Sequence, residues 1–389
     1  MFHFTSTPPL ALYIHIPWCV RKCPYCDFNS HEAKSGLPER DYVAALLRDL
    51  EQELPAVWGR TVDTVFIGGG TPSLFAPESI DALLAGVRAR VSLKPAAEIT
   101  LEANPGTLEQ GRFAEFRAAG VNRLSIGVQS FRDAALERIG RIHDRRAAIR
   151  AAEAAHDAGL ENFNLDLMFG LPDQSLAEAL EDLRTATALE PAHLSWYQLT
   201  LEPNTWFARH PPTLPDDDAL WDMQEQGQVL LAQAGYTQYE ISAYARAGRQ
   251  CRHNLHYWRF HDYLGIGAGA HGKITDAQAQ RIRRRWKQKH PQRYLEQAGT
   301  EQALGGSAEL TPADARFDFA LNRFRLHEGT DRAAFTATTG LPPDYLQAPL
   351  ERALELGLLE EDQERIQTTE RGRRFLNDLL ALFLPEEES

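Results

Sequence analysis

Short apolar runs alternate with longer stretches of three-and-four spacing from the start of the chain to about residue 235. The runs Leu12–Ile16, Thr64–Gly68, Ile99–Ala103, Leu124–Val128, Phe163–Met168 and Leu194–Thr200 are rich in Ile, Val, Phe and Tyr, as buried strands are. After the first run, Val43, Leu46, Leu47, Leu50 and Leu54 recur on one face of a helix. Pro38 precedes that helix and Asp41 lies near its start, where a carboxylate suits the helix dipole. Helical patterns follow over Pro77–Val91, Leu108–Ala119, Arg145–Ala158, Leu176–Leu189 and Asp217–Ala234. Six strand–helix units predict a parallel sheet with right-handed crossovers. Six are fewer than the eight that close a full barrel. The expected fold class is therefore α/β, an open and partial (β/α) barrel; periodicity alone leaves a doubly wound sheet open.

The pattern then changes. Residues 236–310 hold a His- and aromatic-rich stretch, the basic run Arg281–Lys289 and a glycine linker at Gly305–Gly306. Residues 311–389 read as helices at about 314–326, 331–338, 342–357 and 371–384, with a β-ribbon at Leu358–Thr368. That order predicts a mainly helical, winged-helix-like domain, and the chain divides into 1–235, 236–310 and 311–389. Such domains sometimes bind DNA, but this one carries nine Arg or Lys against sixteen Asp or Glu. No nucleic-acid partner is expected.

Over 389 residues the net charge is −13, which also disfavours a broad nucleic-acid footprint. The chain lacks the run of about 18 apolar residues of a membrane helix. Met1–Pro9 lacks the charged and apolar regions of a secretory signal, so a cytoplasmic location is expected. Three of the four cysteines, Cys19, Cys23 and Cys26, crowd into one short segment, and Cys251 is far away. A disulfide framework spreads its cysteines, whereas this clustering predicts thiolates gathered for a metal.

The cysteines follow the first strand, at the carboxyl end where α/β folds place ligand sites. Their spacing is Cys-x₃-Cys-x₂-Cys. Three thiolates on a four-iron cluster leave one iron open, and an amino and a carboxylate group of one ligand can chelate it. A structural zinc site is the alternative; it needs a fourth ligand, and neither His15 nor His31 has the usual paired spacing. The second strand ends in Gly68-Gly69-Gly70-Thr71-Pro72, where glycines let the backbone approach a ligand closely. Glu102 ends the third strand, Gln129 ends the fourth, and Asp166 lies within an otherwise apolar fifth. A carboxylate buried at Asp166 requires a polar partner.

The cysteine loop and glycine motif together resemble the radical S-adenosylmethionine superfamily. The resemblance implies a 4Fe–4S cluster on Cys19, Cys23 and Cys26, reductive cleavage of bound S-adenosylmethionine and a six-unit partial barrel. From about Leu12 to the C-terminal domain the chain is similar to the branch that holds oxygen-independent coproporphyrinogen oxidases and the HemW-type haem chaperones. That resemblance implies adenosylmethionine contacts at Tyr13, Tyr25, Gly69, Gly70, Thr71, Glu102, Gln129, Arg141, Asp166 and Thr200. The oxidases carry a fourth cysteine two residues past the third; Phe28 stands there in this chain. They also carry an N-terminal extension, for which the start of strand one near Leu12 leaves no room. His253-Asn254-Leu255-His256-Tyr257-Trp258 resembles a haem-binding motif of the chaperone group and implies His253 as the axial ligand. From the residues alone, a hydrogen-bonded structural role is at least as good a reading of both His253 and His256. His271, at the end of a glycine-rich run, has no clear role, and the basic run reads mainly as solvated surface.

The expected function is a haem chaperone that binds haem and a cluster carrying adenosylmethionine, then passes haem to acceptor haem proteins. Respiratory enzymes are candidate acceptors, and a transient contact with a membrane protein is a candidate interaction. The alternative is an oxygen-independent coproporphyrinogen III oxidase making protoporphyrinogen IX.

Overall fold

The computed structural model describes residues 1–33, 36–106, 111–362 and 365–385. The predicted strands are β1 (Leu10–Ile16), β2 (Thr61–Gly69), β3 (Ser92–Ala103), β4 (Arg123–Gln129), β5 (Phe163–Phe169) and β6 (His193–Gln198). They pair in that order, all parallel. The connecting helices include α1 (Glu39–Val57), α2 (Pro77–Arg88), α3 (Phe113–Ala119), α4 (Asp133–Arg138), α5 (Arg145–Asp157), α6 (Leu176–Ala188) and α7 (Asp217–Gln233). The start of the pattern predicted over Leu108–Ala119, residues 108–110, lies outside the described residues.

Alternation along the strands explains how one sheet makes both a core and a site. Ile14, Ile67, Leu101 and Leu124 stand side by side in register and are fully buried in the main apolar core. The intervening positions belong to the opposite face, because successive side chains on a strand point to opposite sides. There stand Glu102, Ser125, Asp166 and Ser195, and all four line one cavity. A flat array of six strands about 4.8 Å apart would be about 24 Å wide. Yet Gly69 of β2, Glu102 of β3, Gln129 of β4, Asp166 of β5 and Tyr197 of β6 line that single cavity of about 490 Å³. The Tyr197 hydroxyl also donates to Gln129 Oε1 at 2.9 Å, across the strand between them. The sheet must therefore curl, and since β1 and β6 do not pair with each other it stays open. This is the open, partial (β/α) barrel expected from six strand–helix units.

Residues beyond 236 continue the same sheet at both edges. β7 (Thr237–Glu240) and β8 (Ala243–Ala245) extend it past β6. A helix, α8 (Arg252–Trp258), leads into β9 (Asp262–Ile266), which pairs parallel with β1 on the other side. Antiparallel strands β10 (His271–Asp276), β11 (Arg281–Lys287) and β12 (Leu304–Glu309) follow outward.

The basic run is thus a sheet strand, and most of its charges are paired rather than solvated. Lys287 is 2% exposed and bridges Asp49 (2.5 Å) and Glu53 (2.7 Å) of α1. Arg285 reaches Glu53 at 2.7 Å and Arg284 reaches Asp318 at 2.6 Å.

The C-terminal region has its own apolar core, which includes Phe319, Phe335, Leu350 and Ile366. Helices Pro312–Arg323, Arg332–Thr339 and Asp344–Glu355 precede an antiparallel ribbon of Leu359–Asp362 and Arg365–Thr368, with Thr330–Asp331 as a third strand. Phe4 joins this core from the other end of the chain. The His3 N–H donates to the Gly340 carbonyl at 2.6 Å and anchors that segment.

Candidate cluster and ligand site

The cysteine loop is closed at its base by a two-residue parallel pairing of Trp18–Cys19 with His31–Glu32. Asn29 pins its far side, its amide donating to the carbonyls of Ala268 and Lys289 at 2.9 Å each. The loop approaches the glycine motif so closely that side chains are excluded. A Cβ on Gly70 would stand 2.5 Å from the Trp18 carbonyl oxygen. Gly69 has φ +119°, and a Cβ there would stand 2.5 Å from the His15 ring. The Gly70 N–H donates to Ile16 O and the Thr71 N–H to Trp18 O, so motif and loop form one rigid unit.

All three thiols line the barrel cavity. Among the described residues, no group of three His, Cys, Asp or Glu side chains surrounds a point where one metal ion could sit. A zinc ion needs its sulfurs around one centre at about 2.3 Å. In a four-iron cluster each thiolate meets its own iron and the sulfurs stand farther apart. The donor set, three thiols facing one cavity, fits the cluster.

A hydrogen-bonded chain ties two of the thiols together. Thr71 Oγ1 donates to Cys19 Sγ at 3.5 Å, and Asn104 Nδ2 donates to Thr71 Oγ1 at 2.8 Å. Arg141 donates to Asn104 Oδ1 at 2.8 Å and to Cys23 Sγ at 3.8 Å, and also to the Gly127 carbonyl. Cys26 Sγ lies 3.8 Å from Ser30 Oγ. Burial raises the thiol pKa of Cys19 and Cys26, and the Thr71 and Ser30 hydroxyls oppose that. Donors to sulfur are a standard means of setting a cluster's potential. Arg141, one of the implied adenosylmethionine contacts, donates here to Cys23, Asn104 and the β4 backbone. Asn104 and Ser30 were not singled out in the sequence. Asn104 shares the strand-end segment of Glu102, which was the available signal.

The cavity brings together every predicted site residue except Tyr13 and His253. Glu102 Oε2 accepts from the Gly69 N–H at 2.8 Å. Burial, reinforced by the charge of Asp166, pushes its carboxyl from 4.5 up to about 7, against the Gly69 bond, which lowers it. Asp166 has the polar partners that its burial demands: Asn164 Nδ2 at 2.7 Å and Ser125 Oγ at 3.2 Å. Gln129 has φ +70°, a strained value for a residue with a side chain, where β4 bulges. Thr200, at the rim, donates to Glu202 at 2.7 Å. Tyr13 donates to or accepts from His15 Nδ1 at 2.9 Å and lines a second cavity, which shares Lys22, Cys26, Asp27, Phe28, Gly69 and Glu102 with the first.

His253 lines neither cavity. It is 1% exposed, and both ring nitrogens are engaged, Nδ1 by Thr64 Oγ1 at 2.9 Å and Nε2 by the Tyr257 hydroxyl at 3.0 Å. Burial lowers its pKa well below the usual histidine value. In this arrangement no nitrogen of His253 is free to meet an iron atom.

The model of the radical SAM superfamily matches residues 13–186, and that of the HemN C-terminal domain matches residues 310–375. The chain is 56% identical over 379 residues to the heme chaperone HemW of Escherichia coli, covering 97% of this chain and 99% of the relative. The chain belongs to the HemW family. It is also 52% identical to the heme chaperone HemW of Haemophilus influenzae, over 98% of this chain and 99% of the relative. Among solved structures, coproporphyrinogen III oxidase (HemN) from Escherichia coli, a radical SAM enzyme, superposes with a TM-score of 0.82. That likeness is 25% identical in sequence and covers 97% of this chain and 90% of that one. HemW membership accounts for both halves of the fold, the barrel and the C-terminal helical region. Among the described residues no helix is long and apolar enough to cross a membrane.

The raised carboxyl of Glu102 has a consequence for the ligand-free HemW chain. The folded state holds that proton more tightly than the unfolded state does, so its stabilising contribution is complete below about pH 4.5 and lost as pH rises to about 7. In Glu102→Gln that portion of the pH dependence is expected to vanish. Thermal unfolding of both proteins from pH 5 to 8 checks it, and parallel curves would show that Glu102 does not titrate in this window.

Proposed function

We propose that the protein is a cytoplasmic haem chaperone, which binds haem and a 4Fe–4S cluster carrying adenosylmethionine and hands haem to acceptor proteins. The observation that carries this reading is near-full-length similarity, at 56% identity, to a heme chaperone. Cys19, Cys23 and Cys26 hold the cluster, with Thr71, Arg141 and Ser30 donating toward their sulfurs. When bound, the cluster supplies an electron to adenosylmethionine. Gly69 and Gly70 present backbone to the methionine part, and Glu102 accepts from the ribose hydroxyls. Tyr25, Gln129, Asp166 and Thr200 complete the pocket, and Tyr13 meets the ligand from the second cavity. Respiratory haem enzymes are the proposed acceptors, reached through transient contact at the membrane.

The oxidase reading draws on the HemN superposition. Incubating the cluster-loaded protein with coproporphyrinogen III, adenosylmethionine and a reductant, and separately the haem-loaded protein with an apo-haem enzyme, distinguishes the two. The chaperone reading expects transfer of haem, followed as recovery of acceptor activity, with no protoporphyrinogen formed. Protoporphyrinogen formation without transfer would overturn it.

A further inference from the structure

We propose that His271 is the axial ligand of bound haem, and that the porphyrin lies in the second cavity, between the cysteine loop and the start of β10. This rests on the haem-chaperone reading and assigns its iron-binding residue.

The cavity measures about 700 Å³ and opens beside the cluster pocket, with which it shares Lys22, Cys26, Asp27 and Phe28 of the loop; Tyr13, Gly69 and Glu102 form the end of it assigned to adenosylmethionine. That volume lies within the range of cofactor pockets. Two histidines line it. His15 is excluded as a ligand because Tyr13 and the Asn29 carbonyl occupy both its ring nitrogens at 2.9 Å. His271 is exposed, and among the described residues no hydrogen bond is made by its ring. Its ring stacks on Trp286, its register partner on β11, with centroids 6.1 Å apart and planes at 23°. An imidazole so held, with both nitrogens free, is a ready iron ligand.

The other oxygen and sulfur donors on the wall are less suited. Cys26 is committed to the cluster, Tyr13 is engaged by His15, and burial raises the Tyr263 phenol above its usual pKa. The aromatic and basic parts of the remaining lining suit a flat, dianionic molecule. Phe28 is 58% exposed on the rim, and Tyr257 and Tyr263 form a wall with rings edge-to-face at 4.6 Å. Lys289 is exposed and supplies a cation for a propionate. Lys22, also exposed, already donates to the Phe28 and Ser30 carbonyls at 3.1 and 3.4 Å and adds its charge from there, while Asp27 and Glu102 are the acids of the lining.

The same geometry gives the His-Asn-x-x-Tyr-Trp motif a different part to play. Its Tyr257 faces the cavity, and His253 stands behind, holding the Tyr257 hydroxyl at 3.0 Å. His253 is therefore a positioning residue that acts through Tyr257.

Ferric haem titrated into the full-length, cluster-loaded protein tests the assignment, with electron paramagnetic resonance and the Soret band reporting the iron ligand. His271→Ala is expected to weaken binding at least tenfold and to abolish the imidazole signature. His271→Cys is expected to replace it with a thiolate signature, which loss of folding cannot mimic. His253→Ala is expected to weaken binding while the imidazole signature persists. An imidazole signature retained in both His271 variants and lost in His253→Ala would overturn the assignment while leaving the chaperone reading intact. Failure of the wild type to bind haem at all would overturn both.

Discussion

Replacing Cys23 with alanine is expected to empty the cluster site. The reconstituted variant should fall from about four irons per chain to background and lose the visible charge-transfer absorbance. Adenosylmethionine binding should fall with it, because two thiolates cannot keep a cubane that needs at least three protein ligands when one iron is left open. The loss should come without unfolding. Arg141 retains its bonds to Asn104 and the Gly127 carbonyl when the sulfur is gone, so its guanidinium is not stranded. The informative control is Cys251→Ala. Cys251 is fully buried, its sulfur lies 3.7 Å from Glu98, and it lines neither cavity. That variant should keep a full iron complement. Iron and sulfide analysis beside circular dichroism decides the matter, and a Cys23→Ala protein with undiminished iron would remove Cys23 from the ligand set.

The largest expected change in stability comes from a residue far from any ligand. Lys287→Met should lower the unfolding free energy by about 3–5 kcal/mol, the range for breaking a buried ion pair from one side. Lys287 ends β11 and is the cation between Asp49 and Glu53, which are 0% and 2% exposed on the core face of α1. Methionine matches the aliphatic stem but leaves both carboxylates facing an apolar sheet. Arg285 still reaches Glu53, and the Tyr294 hydroxyl still donates to Asp49 at 2.7 Å, so Asp49 bears most of the penalty. Burial already raises the Asp49 pKa, and Lys287 is the main opposing influence. Urea unfolding measures the loss, and Lys287→Met combined with Asp49→Leu should regain much of it. A loss below about 1 kcal/mol, the size of an exposed pair, would show that the carboxylates find other partners.

These two sites mark how far local pattern reaches. The six parallel strands and their helices were legible because burial imposes a period of two or of 3.6 on the residues. The cluster ligands were legible because all three lie on one short loop. Glu102, Gln129 and Asp166 were also legible, as polar residues at strand ends or within apolar strands. Ser125 and Ser195 also sit on the cavity face with Asp166, a placement that the register of neighbouring strands reveals. Asn104 was harder to find: its part in the site depends on Thr71 and Arg141, which come from two other units of the barrel.

The basic run shows the limit from the other side. Composition makes Arg281–Lys289 a charged surface, and only the approach of β11 to α1 turns Lys287 into a buried cation. Nothing between residues 53 and 287 encodes that pairing locally. His253 and His271 differ in the same way. Both are single histidines in aromatic or glycine-rich surroundings, and sequence alone favours the one in the recognised motif. The fold buries His253 between Thr64 and Tyr257 and leaves His271 on a cavity wall.

By itself, then, the sequence determined the strand–helix units, the three thiolates and the glycine approach that accompanies them. Each of these is written in residues close together in the chain. Tertiary structure alone decided how the sheet curls to gather its strand ends into one cavity, which charges are paired and which histidine is free. Those outcomes depend on contacts between residues far apart in sequence, where burial and hydrogen-bond satisfaction are settled only when the elements pack.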